Sequence, residues 1–96
     1  MLVIVTYDVK TETDEGKSRL RKVAKICDKY GQRVQNSVVE CLVDATQYLE
    51  LKHKLLEICK LDCDSIRFYL LGNSYKDRIE SYGQKAAFDQ DDILIL

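Results

Sequence analysis

One acidic residue, Asp8, stands near the end of the most apolar stretch of the chain, residues 2–9 (LVIVTYDV). A near-continuous apolar run of this length is typical of a strand covered on both faces, and such strands tend to present functional side chains where they leave the sheet. Asp8 is therefore the first candidate for a functional carboxylate. The alternative is that its side chain only caps or hydrogen-bonds the turn that follows the strand.

A basic segment is the second candidate for chemistry. The whole chain has a formal net charge of -1, but residues 17–33 hold seven basic residues and one acidic residue, Asp28, a local balance of +6. Such a surface attracts phosphate groups, although a solvated helix face has the same composition. The basic residues are Lys17, Arg19, Arg21, Lys22, Lys25, Lys29 and Arg33.

The four cysteines and the only histidine do not form a metal-binding pattern. The chain has no C-x-x-C pair, and His53 has no second ligand at a useful spacing. We therefore expect the thiols to be buried and reduced, and His53 to be a structural histidine on a helix. The cysteines are Cys27, Cys41, Cys59 and Cys63.

Length and composition predict one small domain, residues 1–96. Hydrophobic residues make up 46% and charged residues 32% of the 96 positions, as in a folded globular protein. No apolar run approaches the roughly twenty residues that span a bilayer, and Met1 leads directly into the first strand without a signal peptide. We expect a cytoplasmic protein with no membrane partner. A partner subunit would add burial to so short a chain.

A first helix is predicted to begin at Thr13 or Asp14, both good N-caps, and to run to Tyr30. Apolar residues recur at helical spacing and define one buried face. Arg19 and Arg21 lie off that face, so the fold is not expected to depend on either side chain. The buried face comprises Leu20, Val23, Ala24 and Cys27.

The remaining elements continue the alternation of strands and helices. Residues 33–44 are rich in β-branched side chains and predict two short strands, or one strand bent near residues 36–37. A second helix is expected from Asp44 or Thr46 to about Lys60, and a strand at 65–71. The order β-α-β-β-α-β predicts an α+β, ferredoxin-like fold whose core comprises about residues 1–72. Many unrelated functions use this fold, so the topology alone does not indicate the function.

The C-terminal part, about residues 73–96, is predicted to be a dimerisation segment. Residues 78–82 could form a short exposed strand. The chain then ends in four consecutive large apolar residues, which need a covering partner. An extra C-terminal strand, paired with an edge of its own sheet or with that of a second copy, would satisfy them. These residues are Ile93, Leu94, Ile95 and Leu96.

Three stretches, taken in order, resemble the Cas2 family of CRISPR adaptation proteins. They are residues 6–9 (TYDV), 19–25 (RLRKVAK) and 30–41 (YGQRVQNSVVEC). The resemblance extends over almost the whole chain, and its most specific part is Y-G-x-R-V-Q-x-S-V. Val39 departs from the pattern, because the family commonly has phenylalanine there. Residues 72–76 (GNSYK) are similar to members that accompany type I-C systems.

The resemblance implies a homodimer whose sheets face each other and whose C-terminal strands cross over. It also implies an endoribonuclease, or more generally a magnesium-dependent endonuclease on RNA or DNA. Asp8 would be the catalytic residue and the metal ligand, and the two copies would share one Mg²⁺. Two carboxylates plus waters could orient a hydrolytic water, although this is a small ligand set. Glu40 is the only nearby addition, and ordinary strand pairing is the favoured role for it.

A second implied role is antiviral defence through spacer acquisition, in which the dimer bridges subunits of the adaptation integrase and holds duplex DNA. Phosphates would then be bound without base contacts. Two other functions stay open: a toxin-like ribonuclease resembling the virulence-associated D family, and a regulatory module that binds a small ligand. A CRISPR array beside the gene would support the adaptation role over the toxin-like ribonuclease, whereas a partner antitoxin gene would oppose it. Single-stranded RNA is a further candidate substrate. The implied DNA-binding residues are Lys17, Arg19, Arg21, Lys22 and Arg33.

Overall fold

A computed structural model of the protein describes residues 1–83. The elements are β1 (Leu2–Asp8), α1 (Asp14–Tyr30), β2 (Gly31–Gln35), β3 (Val38–Leu42), α2 (Ala45–Ile58) and β4 (Ser65–Gly72), followed by a 3₁₀ turn (Lys76–Arg78). The four strands form an antiparallel sheet with the order β2-β3-β1-β4. Together with the two helices, this is the α+β, ferredoxin-like arrangement that the sequence predicts.

The central strand β1 has one buried face and one open face. It pairs with β3 on one side and with β4 on the other, and its side chains alternate between the faces. The face toward the helices is buried, whereas Ile4 and Thr6 on the other face are half-buried and Asp8 is exposed. The sheet and helix residues of the core include Val3, Val5, Tyr7, Val39, Cys41, Val23, Cys27, Leu51 and Leu55.

Both helices begin where the sequence predicts. The Thr13 hydroxyl accepts a hydrogen bond from the Gly16 N–H at 3.0 Å and caps α1. The Asp44 carboxylate accepts from the Gln47 N–H at 2.7 Å, and the Gln47 side chain accepts from the Asp44 N–H, which completes a capping box on α2. Helix α2 ends at Ile58, two residues before the predicted end.

Gly31 ends α1 in an extended conformation and begins β2 directly, with φ at -161°. Glycine is required there by close approach, because a Cβ atom would lie 2.3 Å from the Glu40 carbonyl oxygen. The predicted pair of short strands after it is confirmed, with a tight turn at residues 36–37 between them.

The prediction of a strand at residues 78–82 is wrong. The chain forms a 3₁₀ turn at Lys76–Arg78 there, and no strand follows β4 as far as residue 83. The predicted extra C-terminal strand, with the apolar residues Ile93 to Leu96, lies outside the described residues. Up to residue 83, neither helix has the length and apolar character of a membrane span.

Candidate functional site

Asp8 is the last residue of β1, and its side chain lies on the open face of the sheet. Its neighbours Tyr7 and Val9 are buried in the core, so the alternation of a strand requires the Asp8 carboxylate to point the other way. Across the sheet, Asp8 pairs with Ser65, the first residue of β4. The predicted placement of Asp8 near the end of the first strand is confirmed.

Tyr7 fixes one side of this strand end. Its N–H donates to the Ser37 carbonyl at 3.2 Å, and its hydroxyl donates to the Asn36 carbonyl, also at 3.2 Å. Burial raises the pKa of the Tyr7 hydroxyl, which keeps the donor protonated. The turn between β2 and β3 is thereby attached to the residue that precedes Asp8.

Asp64 holds the other side of the strand end, through the loop that follows Asp8. Its carboxylate is the most enclosed charged group among the described residues, with 0% of the side chain exposed. One oxygen, Oδ1, accepts from the Lys10 N–H at 3.0 Å and from Arg19 Nη2 at 3.1 Å. The other, Oδ2, accepts from Arg19 Nε at 2.8 Å and from the Lys60 N–H at 2.9 Å. All four lone-pair directions of the carboxylate are therefore used.

The surroundings of Asp64 stabilise its charged form. The hydrogen bonds from the Arg19 side chain lower the pKa of Asp64 most, and those from the Lys60 and Lys10 backbone add to this, against the opposing effect of burial. The carboxylate thus stays ionised throughout the neutral range. It joins the loop after β1, the first half of α1 and the connection that follows α2.

The Asp8 carboxylate itself forms no hydrogen bond or salt bridge with the residues that the structure describes. It is an available oxygen ligand of the kind that Mg²⁺ prefers. One chain supplies only this single carboxylate ligand at the site, because no group of three potential metal-binding side chains occurs within residues 1–83. The donor set therefore fits a magnesium ion that keeps most of its waters or has a second carboxylate from another copy.

Glu40 lies on the same open face but too far from Asp8 to share a cation within one chain. It pairs with Ile4 of β1 and with Gln32 of β2. Ile4 and Asp8 are four residues apart along β1, which is about 13 Å in a strand. Glu40 therefore takes part in strand pairing, and burial raises the pKa of its carboxyl group.

The exposed side of α1 carries the basic residues that form no salt bridge within residues 1–83. Four of them recur every four residues and so lie in one row along the helix, which we call the α1 basic row. Lys22 is exposed beside it. The row is formed by Lys17, Arg21, Lys25 and Lys29.

Two arginines of the predicted phosphate-binding set have acidic partners. Arg33 Nη2 donates to Asp28 at 2.8 Å, and both side chains are partly exposed. Arg19 is the partner of the enclosed Asp64, and only 17% of its side chain is exposed. The structure thus gives Arg19 a contact within the fold that the sequence analysis did not anticipate. Sequence reasoning missed this pair because no local pattern connects two residues that are 45 positions apart.

The thiols offer no competing chemistry in the core. Burial raises the pKa of Cys27 and of Cys41 to about 12, so both are neutral at physiological pH. Cys59 is buried as well, whereas Cys63 is exposed, against expectation. His53 is exposed and lies 3.3 Å from Glu57, one turn further along α2.

Comparison with known proteins agrees with this geometry. The family model described as "CRISPR associated protein Cas2" matches residues 1–79. The chain is 54% identical to the "CRISPR-associated endonuclease Cas2" of Halalkalibacterium halodurans over 95 residues, covering 99% of each chain. It is 52% identical to the "CRISPR-associated endoribonuclease Cas2" of Chlorobaculum tepidum over 96 residues, covering 100% of each.

A solved structure shows the same fold. The crystal structure of Streptococcus pyogenes Cas2 at pH 6.5 is 55% identical to this chain and superposes with a TM-score of 0.75, covering 86% of this chain and 100% of that one. Sequence and fold thus agree over the segment that carries Asp8, the α1 basic row and Asp64. The chain belongs to the Cas2 family of CRISPR-associated nucleases.

Proposed function

We propose that this protein is a magnesium-dependent endonuclease that acts in CRISPR spacer acquisition, where its homodimer binds duplex DNA and bridges subunits of the adaptation integrase. The observation that carries the nuclease part is the exposed Asp8 carboxylate, which has no partner within residues 1–83 although its strand end is fixed from both sides. A free carboxylate on a rigid support is a group available to a cation.

Magnesium, when bound, would polarise a phosphodiester and lower the pKa of a coordinated water. Asp8 from each of two copies would hold the ion, and no other carboxylate of the described residues is placed to assist. Asp8 would orient the hydrated cation, while Tyr7 and the enclosed Asp64 keep the strand end in place. The role of this chain is thus to position a cation against the phosphate backbone.

The open face of the sheet supports a dimer with facing sheets. Leu42 and Tyr69 are 46% and 44% exposed on the face that also carries Asp8, and Ile4 lies between them. Apolar side chains grouped on one sheet face favour coverage by another protein surface. A second copy of the same face would bury them and bring the two Asp8 residues toward a common axis.

The α1 basic row supports binding to the phosphate backbone of nucleic acid. It extends from Lys17 to Lys29, about 18 Å of helix, and so faces several phosphates of one strand. Its members are exposed, and salt bridges within residues 1–83 do not neutralise them. Contacts of this kind position a duplex without selecting its sequence, as the capture of varied DNA segments requires. Membership of the Cas2 family supports the proposed integrase partnership.

The nucleic-acid interface predicts a change in salt dependence. Arg21→Gln should weaken binding to unrelated duplexes about equally, because it removes a phosphate contact and not a base contact. The slope of log K against log salt should become less negative by about 0.9 per contact, or about 1.8 for a dimer. Fluorescence anisotropy at several salt concentrations measures this slope.

Lys52→Gln is the matched control, since it removes one exposed charge from α2, away from the α1 basic row. We expect its slope to equal that of the wild type. An unchanged slope for Arg21→Gln, or the same change for both variants, would contradict the assignment of α1 as the DNA-binding surface. Cleavage by the wild type with magnesium and with EDTA tests the nuclease proposal on the same preparations.

A further inference from the structure

We infer that Asp64 is a positioning residue for Asp8, and that Arg19 acts through Asp64 and not through a contact with phosphate. The inference rests on the proposed role of Asp8 as the metal ligand. It divides the basic residues of α1 into two functions. Arg21 and the rest of the α1 basic row would bind nucleic acid, whereas Arg19 would hold the strand end that presents the catalytic carboxylate.

Asp64 is connected to both sides of Asp8, through a hydrogen bond to the loop after β1 and through the chain to β4. Its Oδ1 accepts from the N–H of Lys10, two residues after Asp8 on the chain. Asp64 also directly precedes Ser65, the residue that pairs with Asp8 across the sheet. The Asp64 carboxylate therefore links the loop after β1 to the start of β4. A change in its position would move Lys10, which follows Asp8 in the chain, and Ser65, which pairs with Asp8 across the sheet.

The first turn of α1 holds the same loop from the other side. A Cβ atom built on Gly16 would lie 1.9 Å from the Lys10 carbonyl oxygen, so the helix backbone packs directly against Lys10. Lys10 is thus fixed through its N–H by Asp64 and through its carbonyl by the contact with Gly16. Two independent contacts on one residue leave the loop after Asp8 little freedom.

Arg19 is suited to holding Asp64 because it binds both carboxylate oxygens. Nε donates to Oδ2 at 2.8 Å and Nη2 donates to Oδ1 at 3.1 Å, a side-on bidentate pair. A lysine would keep the positive charge but could not reproduce this planar fork. The pair as a unit carries no net charge, so Arg19 adds little attraction for phosphate beyond its immediate contacts.

Arg19→Lys in the full-length chain tests the inference, because it preserves charge and removes the fork. We expect magnesium-dependent cleavage to fall at least tenfold, and duplex affinity and its salt slope to stay within twofold of wild type. Arg78→Lys makes the same chemical change at an exposed arginine outside the site and should leave cleavage unchanged.

Two measurements on the same variant do not depend on turnover. Paramagnetic broadening of the Asp8 amide by Mn²⁺ should need about tenfold more metal in Arg19→Lys than in the wild type. Hydrogen exchange of the Lys10 amide should accelerate, since its acceptor is loosened. Gly16→Ala, which displaces Lys10 from the opposite side without altering charge, should reproduce both effects and the loss of cleavage.

Three results would overturn the inference. Arg19→Lys could cleave and bind Mn²⁺ as the wild type does, which would show that the fork is dispensable. It could lose duplex affinity in proportion to cleavage, which would place Arg19 on the nucleic acid. If Gly16→Ala folds and keeps full cleavage with a displaced Lys10 amide, the loop does not position Asp8. By contrast, a wild type whose Asp8 amide does not respond to Mn²⁺ would refute the proposed function itself.

Discussion

Asp8→Asn is expected to lower magnesium-dependent cleavage by about 100-fold or more, while the dimer and its affinity for duplex DNA remain. Asparagine has nearly the same shape and keeps the strand pairing with Ser65, but it lacks the anionic oxygen that binds the cation. Because both copies in the dimer carry the substitution, both carboxylate ligands of a shared ion are lost. A bound metal contributes several kcal/mol to the transition state, and each 1.36 kcal/mol is about tenfold in rate.

Cleavage of labelled single-stranded RNA and duplex DNA measures this effect, with Asp62→Asn as the control. Asp62 is exposed in the connection before β4 and forms no salt bridge within residues 1–83. Without metal, the Asp8→Asn dimer should be at least as stable as the wild type, because two facing carboxylates no longer repel each other. Undiminished cleavage by Asp8→Asn would remove Asp8 from the site, and dissociation of the dimer would make it a structural residue.

Asp64→Ala is expected to lower the free energy of unfolding by about 3 kcal/mol, because it leaves the Arg19 guanidinium and two backbone N–H groups without their acceptor. For a domain of this size, that corresponds to a fall in the melting temperature of about 15 °C. Urea unfolding followed by circular dichroism measures the change. Asp62→Ala, at an exposed position two residues earlier, should cost less than about 0.5 kcal/mol.

The same pair sets a dependence of stability on pH. Folding lowers the pKa of Asp64, so its contribution is fully present above the pKa of the unfolded chain, about 4, and is lost as the pH falls toward the lower folded value. Below pH 4 the wild type should therefore lose stability more steeply than Asp64→Asn. Equal slopes for the two proteins between pH 2.5 and 4 would show that the carboxylate is not ionised in the fold.

The parts of the fold with a strong local signal were predictable from the sequence. The apolar run before Asp8 predicted a strand with a carboxylate near its end, and the structure has this strand. The expectation that both of its faces are covered is wrong within one chain, because the face of β1 that carries Asp8 is open. Thr13 and Asp44 predicted the starts of the two helices through their capping chemistry. The concentration of basic residues on α1 was predictable from the local charge balance, although two members of the predicted set, Arg19 and Arg33, have acidic partners. In each case the determining residues lie within a few positions of one another.

Features that depend on distant contacts were not predictable. Arg19 looks like its neighbour Arg21 in the sequence, and only the fold brings it to Asp64. Asp64 itself is one acidic residue before a strand, without a pattern that predicts its burial. The segment at 78–82 has β-forming residues, but a strand also needs the edge of another strand to pair with. In the structure, the first residue of this segment belongs to the 3₁₀ turn at Lys76–Arg78.

The number of metal ions bound per dimer tests most directly whether two copies of Asp8 share one cation. Titration with Mn²⁺, followed by electron paramagnetic resonance and combined with light scattering, gives the number of ions per chain and the oligomeric state together. We expect one tightly bound ion per two chains in the wild type and none in Asp8→Asn, which should still be a dimer. One ion per chain, or the same number in Asp8→Asn, would contradict a shared site at Asp8.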